Sequence, residues 1–346
     1  MLKGAIIGFG NIAEGHLSAY NLINGIKIIS VLDISEKRLE YAKELISDVQ
    51  CYTSFIDMVK KEKLDFVDIC TPPNVRFAYM KKSLKCHLHV IGEKPFLLHL
   101  KEYQILSSIA QKNKLILFPC HNYRYAPVIR YAKQIIMNKN FGNLINGYFK
   151  TMRIGHALGN LEWKPNWRRD KIISGGGILQ DHGPHSFYVA SYLIGKKPMM
   201  ISAVLGKMKY DKYKTEDTAI IKLQYEDDLI INLDLSWNSS KRDTFYHLFG
   251  SKESLLIDSD KVTHYLNDGS VKKEIYLSEF NDPLHRSWFI DVILDFKDSI
   301  ANLKFRNDLL EESYLSTELI SKAYESAREN GAEKIILGNV SSLSIK

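Results

Sequence analysis

Through the first third of the chain, short apolar runs alternate with amphipathic stretches. This is the rhythm of strands and helices exchanging in a parallel sheet. Strands are predicted at residues 4–8, 26–33, 66–70, 88–92 and 115–120. Residues 35–46 set Leu39, Ala42, Leu45 and Ile46 on one helical stripe. Thr71-Pro72-Pro73 and Glu93-Lys94-Pro95 stop two of the strands, so both segments are expected in loops at the carboxyl ends of the sheet. In an open α/β sheet those loops form the binding crevice.

After Pro127 the rhythm changes. A helix is predicted over 128–138, a strand over 144–153, and a helix opened by Gly175-Gly176-Gly177 and running to 194. Strand-like stretches then follow one another at 199–205, 218–225, 229–236, 244–250, 262–266 and 271–276, the last two joined by the turn Asn267-Asp268-Gly269-Ser270. Consecutive strands without helices between them predict an antiparallel sheet, and helices over 283–301 and 308–330 close the chain. The expectation is an α/β chain of two domains, 1–122 with a parallel sheet and 123–346 of α+β type.

Composition narrows the class. The 346 residues suit two domains, and 45% apolar content supplies a core for each. The 47 basic and 40 acidic residues are interspersed, so the net +7 reads as a solvated surface with room for an anionic ligand. No basic helix or RNA-binding motif accompanies the charge, and no nucleic-acid partner is expected. Cys51, Cys70, Cys86 and Cys120 have neither metal nor disulfide-framework spacing; Cys70 and Cys120 end apolar runs and are expected buried. Met1–Gly8 is a short strand entering a glycine turn rather than a signal peptide, and no apolar run approaches the ~20 residues that cross a bilayer. A cytoplasmic protein without a membrane partner is the expectation.

The first strand runs into Gly8-Phe9-Gly10-Asn11-Ile12-Ala13, which opens a helix. Gly8 allows the tight turn, Gly10 lets the backbone approach a pyrophosphate, and Ala13 keeps helix and strand close. The phosphates would sit on the helix N-terminus, beside Asn11 and Ile12. Asp33 ends the second strand, where a carboxylate accepts hydrogen bonds from the adenosine ribose. This is a Rossmann fingerprint. Asp33 also repels a 2′-phosphate, which favours NAD over NADP; Arg38, a turn into the next helix, is the one counter-indication.

Two segments carry chemistry. Lys94 is expected to point into the crevice, and Asp181 and His185 share a helical face four residues apart. Removing a hydroxyl proton as hydride departs suits a histidine, an ammonium steadies the alkoxide, and a carboxylate orients them. Taken singly, each residue also fits a structural role. His182 and His185 could join Asp181 as metal ligands, but no further cluster completes a site, and no metal is expected. His87 and His89 would share a sheet face, again without a third ligand.

Taken together, the motifs resemble the glucose–fructose oxidoreductase / inositol dehydrogenase (Gfo/Idh/MocA) family, in order and over nearly the whole chain. They run from Gly8–Ala13 through Asp68-Ile69-Cys70-Thr71-Pro72-Pro73, His89-Val90-Ile91-Gly92-Glu93-Lys94-Pro95-Phe96 and His121-Asn122-Tyr123-Arg124-Tyr125-Ala126-Pro127 to the glycine cluster with Asp181 and His185, and Ala323-Tyr324-Glu325-Ser326-Ala327. The resemblance implies a Rossmann domain and a second domain with a large, mostly antiparallel open sheet. That sheet commonly serves as an interface for a homo-oligomer, a dimer or tetramer. It implies Lys94 contacting the substrate hydroxyl and the nicotinamide, Asp181 orienting the sugar, and His185 as acid/base. Thr71, Pro72 and Asn74 match the loop lining the cofactor, and Glu93 with Asn122, Tyr123 and Arg124 flanks the nicotinamide end. Two departures stand out: Arg76 where the family often has histidine, and His87 where a glycine is common.

Trp163, Trp167, Arg168 and Arg169 precede the glycine cluster and suit a polyol with an acidic or phosphate group; they equally suit a loop packed by its tryptophans. Tyr123, His156 and Trp237 are further candidates. The reading is an NAD(H)-dependent oxidoreductase acting on a secondary alcohol or ketone of a sugar, cyclitol or sugar derivative. A nucleotide-sugar dehydrogenase of surface-polysaccharide synthesis is the enzymatic alternative, and a dinucleotide-binding sensor without turnover the non-catalytic one.

Overall fold

The computed structural model describes residues 1–276, 285–329 and 335–336. In the first half, β1 (Leu2–Ile7), α1 (Asn11–Tyr20), β2 (Ile26–Leu32), α2 (Glu36–Leu45), β3 (Gln50–Tyr52), α3 (Phe55–Lys61), β4 (Phe66–Ile69), α4 (Pro73–Lys85), β5 (His89–Gly92), α5 (Leu100–Lys112) and β6 (Leu117–Pro119) follow in turn. All strands pair in parallel in the order β3-β2-β1-β4-β5-β6. The order reverses between β1 and β4, and the crevice outside their carboxyl ends is where a Rossmann fold binds its ligand. The helix starts are written locally: the Ser35 and Ser54 hydroxyls accept the Arg38 and Asp57 N–H groups, and Pro73 occupies the first turn of α4.

The second half holds α6 (Pro127–Ile136), β7 (Leu144–Met152), α7 (Lys171–Ser174), α8 (Ile178–Ile194), β8 (Met200–Gly206), β9 (Thr218–Gln224), β10 (Ile230–Ser236), β11 (Asp243–Gly250), β12 (Glu253–Asp258), β13 (Lys261–Leu266), β14 (Val271–Tyr276), α9 (Arg286–Ala301), α10 (Asn307–Arg328) and β15 (Ile335–Ile336). Its nine strands run β14-β13-β12-β11-β7-β10-β9-β8-β15. Every pairing is antiparallel except β7 with β10. The alternating inward residues, among them Phe149, Ile221, Leu233, Tyr246 and Leu255, pack against α6, α8 and α10 in one core.

The sequence pattern does not anticipate β3, β12 or β15. β3 is too short for a period, and the Leu255-Leu256 pair blurs the alternation that buries Glu253, Leu255 and Ile257. The predicted helix starts at 283 and end at 330 lie outside the described residues. His87 is not on a strand: it sits in the left-handed turn after α4 (φ 59°), so His87 and His89 do not share a sheet face. A further difference concerns α9. Its Phe289, Val292, Ile293 and Phe296 pack into the core beneath the first sheet, with Phe296 edge-on to Phe66 and Phe118, each at 5.5 Å.

Candidate functional site

A cavity of about 850 Å³ runs from the β1–α1 turn to the near end of α8. Its walls include Gly8, Gly10, Asn11, Ile12, Asp33, Thr71, Pro72, Asn74, Glu93, Lys94 and Asn122, every residue the sequence suggests for the cofactor. Gly8 adopts φ +87°, and a Cβ there would meet the Thr71 backbone at 2.9 Å; the turn can form only with glycine. A Cβ at Gly10 would stand in the cavity, its nearest neighbour Asn160 at 3.8 Å, which is the opening a pyrophosphate needs. The Asp33 carboxylate accepts the Phe9 N–H at 2.6 Å and the Ser35 N–H at 2.8 Å, and so is fixed at the end of β2. Arg38 donates to the Phe9 carbonyl at 2.6 Å and to Glu14 at 3.0 Å, and lies over the Tyr41 ring. Its charge is already paired, and the residues present fit NAD.

Arg76, where the family often has histidine, cross-links the two proline loops. Its guanidinium donates to the carbonyls of Glu93 and Thr71, each at 2.5 Å, and to that of Pro95. Burial pushes its pKa down to about 10, even with Glu93 near. The Lys94–Pro95 bond between these contacts is cis.

Beneath the crevice lies a group the sequence did not suggest. His16 is fully buried between Asp68 (2.7 Å) and Glu93 (3.1 Å), with Cys70 and Cys120 beside it. Burial alone would discharge the imidazole, but Asp68 and the two cysteines hold its pKa well above the ordinary value. Glu93 is buried too, yet His16, Lys94 and Arg76 keep its carboxyl below the usual range. Its second oxygen accepts the Lys94 N–H at 3.0 Å. Sets such as His16, Asp68 and Cys70 bring metal-ligating types together, but both ring nitrogens are taken by carboxylates, as in an ion network.

Lys94, Asp181 and His185 meet in the cavity. The Lys94 ammonium donates to the Asp181 carbonyl at 2.9 Å and to its Oδ1 at 3.2 Å; Arg168 approaches Oδ2 at 3.5 Å. Burial would raise the Asp181 carboxyl, but Lys94, Arg168 and His182 pull it far below the carboxylate range. His185 moves the other way: burial first, then Lys94 and His182, hold it well below 6.5, so it stands neutral. Its Nδ1 lies 2.6 Å from the Tyr188 hydroxyl.

Tyr123 lines the cavity, its ring 4.2 Å from that of His185. Trp163, Trp167 and Arg168 also form its wall, with Arg168 over Trp167 and donating to the Ala157 carbonyl. Arg124 does not face the cavity: it is paired with Glu312 at 2.5 Å and Asp308 at 2.8 Å, on the side of α10. Arg169 is turned to His156 and Tyr210, and Trp237 is a core residue.

The helix carrying Asp181 and His185 is set by Glu216, which the sequence analysis missed. One carboxylate oxygen accepts the N–H groups of Gly177 and Leu179, each at 3.0 Å, and the Tyr324 hydroxyl at 2.8 Å. Pro184, inside this helix, removes the N–H that would have bonded the Gln180 carbonyl.

Residues 2–121 match the model of the oxidoreductase family with an NAD-binding Rossmann fold, and residues 129–256 match the Gfo/Idh/MocA C-terminal domain. Among curated proteins the chain is similar to D-apiose dehydrogenase of Paraburkholderia graminis, 24% identical over 75% of this chain and 68% of that protein. It is also similar to myo-inositol 2-dehydrogenase of Thermotoga maritima, 25% identical over 76% and 77%. Among solved structures, a levoglucosan dehydrogenase in complex with NADH and levoglucosan superposes with a TM-score of 0.84, at 16% identity over 98% of this chain and all of that one. GenD2 from gentamicin A biosynthesis, in complex with NAD, gives 0.85 at 17% identity over 98% and 97%. The glycine turn answered by Asp33, Lys94 against Asp181, and the two matched domains have one common owner: the chain belongs to the Gfo/Idh/MocA family of NAD-binding oxidoreductases.

Proposed function

We propose that this protein oxidises a secondary alcohol of a sugar or cyclitol, or reduces the matching ketone, with NAD(H). The observation that carries this reading is the meeting of Lys94, Asp181 and neutral His185 in the dinucleotide crevice. NAD, when bound, supplies the hydride acceptor. The protein's own groups handle the proton. His185 receives it on Nε2, since Nδ1 is engaged with Tyr188. Lys94 gives two of its three N–H bonds to Asp181 and keeps one for the substrate oxygen, where it steadies negative charge as it develops. Asp181, ionised throughout the working range, holds Lys94 in place. The polyol substrates in the names of the two curated relatives support the substrate class. Asp33 and the engaged Arg38 support NAD over NADP. Among the described residues, Tyr148, Val204 and Ile220 stand exposed on the outer face of the large sheet, which supports a homo-oligomer built on it.

The test is NADH formation across a panel of aldoses, inositols and nucleotide sugars, run in parallel with NAD and NADP. His185→Ala and Lys94→Ala are each expected to lose about 10²–10⁴-fold in kcat, the range of a general acid–base contribution. Turnover within a few-fold of wild type in both variants would overturn the assignment, and a clear NADP preference would overturn the role of Asp33. Tight NADH binding with no turnover on any member favours the sensor.

A further inference from the structure

The substrate end of the cavity holds two guanidinium groups that the chemistry above does not use. Arg153 follows β7, and Arg242 precedes β11 in the connection from β10. Ser236 of β10 and Asp243 of β11 both pair with Met152, so these strand ends meet at one end of the three central strands. Both arginines line the cavity.

Arg153 is 5% exposed, and its Nη1 donates only to neutral acceptors: the carbonyls of Met152 and Asp243 and the Thr244 hydroxyl. Its Nε is buried without an acceptor. Among the described residues no carboxylate pairs with Arg153, and none pairs with Arg242. Arg242 is exposed at the cavity wall, and the two charges oppose each other: partial desolvation and then Arg153 lower the Arg242 pKa. His182 is held down by burial, Arg153, Lys94 and Arg242, against the pull of Asp181.

A guanidinium buried as that of Arg153 is costly to keep without a counter-ion, while Arg242 stands exposed beside it where a ligand can reach both. Planar guanidiniums take carboxylates and phosphates bidentately. The pyrophosphate of a dinucleotide does not answer this pair, because its cradle is the Gly8–Gly10 turn on the other domain.

Resting on the proposed oxidoreductase reading, we propose that Arg153 and Arg242 bind an anionic substituent, a carboxylate or phosphate, so that the substrate is an acidic sugar rather than a neutral polyol. The sugar's reacting carbinol lies at Lys94 and His185, and its acid group is held at the strand ends beyond His182. This assigns a role to β7, β10 and β11: their carboxyl or amino ends carry the specificity, while α8 carries the chemistry.

The test compares kcat/KM of the NAD-loaded enzyme for D-glucuronate, D-galacturonate and D-glucose 6-phosphate with that for D-glucose and myo-inositol. An anionic sugar is expected to win by at least about tenfold, and the uronates against the phosphate tell carboxylate from phosphate. Arg242→Gln, whose side chain has no partner to lose, is expected to collapse that ratio mainly through KM, with Arg242→Lys restoring part of it. Equal rates on neutral and anionic sugars, or a ratio unchanged in Arg242→Gln, overturn the proposal while leaving the oxidoreductase reading intact. If no sugar is turned over, calorimetric titration of the NADH complex with the same three acids decides. Binding that Arg242→Gln abolishes upholds the anion site and sinks the oxidoreductase reading; no binding overturns the anion site.

Discussion

Tyr188 decides which nitrogen of His185 is free to work. Its oxygen accepts the Tyr123 N–H at 3.2 Å and lies 3.4 Å from Asn122 Oδ1. When the imidazole donates across the 2.6 Å contact from Nδ1 to the Tyr188 oxygen, Nε2 is the acceptor, the tautomer that proton removal requires. The stacked ring of His121, 4.1 Å away and nearly parallel, fixes the phenol in that place. Tyr188→Phe removes the acceptor and frees the ring to take the other tautomer. Steady-state kinetics are expected to give a kcat lowered about tenfold, equivalent to ~1.4 kcal/mol, with NADH affinity unchanged; a kcat within twofold of wild type would count against the tautomer argument. The pH profile follows from the same residue. Because burial and the neighbouring cations lower the His185 pKa, the neutral base persists as pH falls through 6.5, so the acid limb of kcat/KM for alcohol oxidation belongs below that pH. A limb centred at or above 6.5 contradicts it.

The α8 helix shows how an element is held by residues distant in sequence. Three glycines lead into it because the space is already occupied: a Cβ at Gly177 would lie 1.8 Å from the Glu216 carbonyl oxygen, and one at Gly176 would lie 1.9 Å from the Tyr324 hydroxyl. The Glu216 carboxylate takes the place of the N-cap side chain that Gly177 lacks. Glu216→Ala is expected to lower stability by about 1–2 kcal/mol, the upper range for a lost cap, and to lower kcat as Asp181 and His185 lose their fixed position. Denaturant midpoints and turnover measured together check this, and an unchanged kcat would restrict Glu216 to stability. The sequence pattern could reveal the glycines, Lys94, Asp181 and His185, because each lies in a local motif flanked by its own strand or helix. It could not reveal Glu216, which reaches Gly177 across 39 residues. Arg153 and Arg242 read as ordinary loop charges until the strand ends are brought together. His16 escaped for a similar reason: its carboxylate partners are 52 and 77 residues away. Strands long enough to show a period were legible, whereas β3, three residues long, and β12, whose Leu255-Leu256 pair blurs its alternation, were not.

At the scale of the whole molecule, the two sheets are built into different surroundings. The first is covered on both faces, with α9 returning from the second half to supply part of the cover. Among the described residues the second is packed by helices on one face. On the other, Val204 and Ile220 pair across β8 and β9 at 54% exposure each, and Tyr148 on β7 is 44% exposed. Lys150 and Asp234 are paired neighbours on the same face, so the surface carries both charges and can complement a copy of itself around a two-fold axis. With ~4.8 Å between strands and ~3.3 Å per residue, its eight longer strands present on the order of 800–900 Å². That is about the area each partner contributes to a standard interface, ~800 Å². A face of this size that exposes Val204, Ile220 and Tyr148 among its charges is expected to be covered by a second copy. Light scattering at micromolar concentration should report a dimer or a multiple of it, and Tyr148→Glu combined with Ile220→Glu should shift it to monomer while NADH still binds, because the glycine turn and Asp33 belong to the other sheet. A wild-type monomer under those conditions would remove the sheet face from the account of assembly, and a double variant that stays associated would move the interface elsewhere.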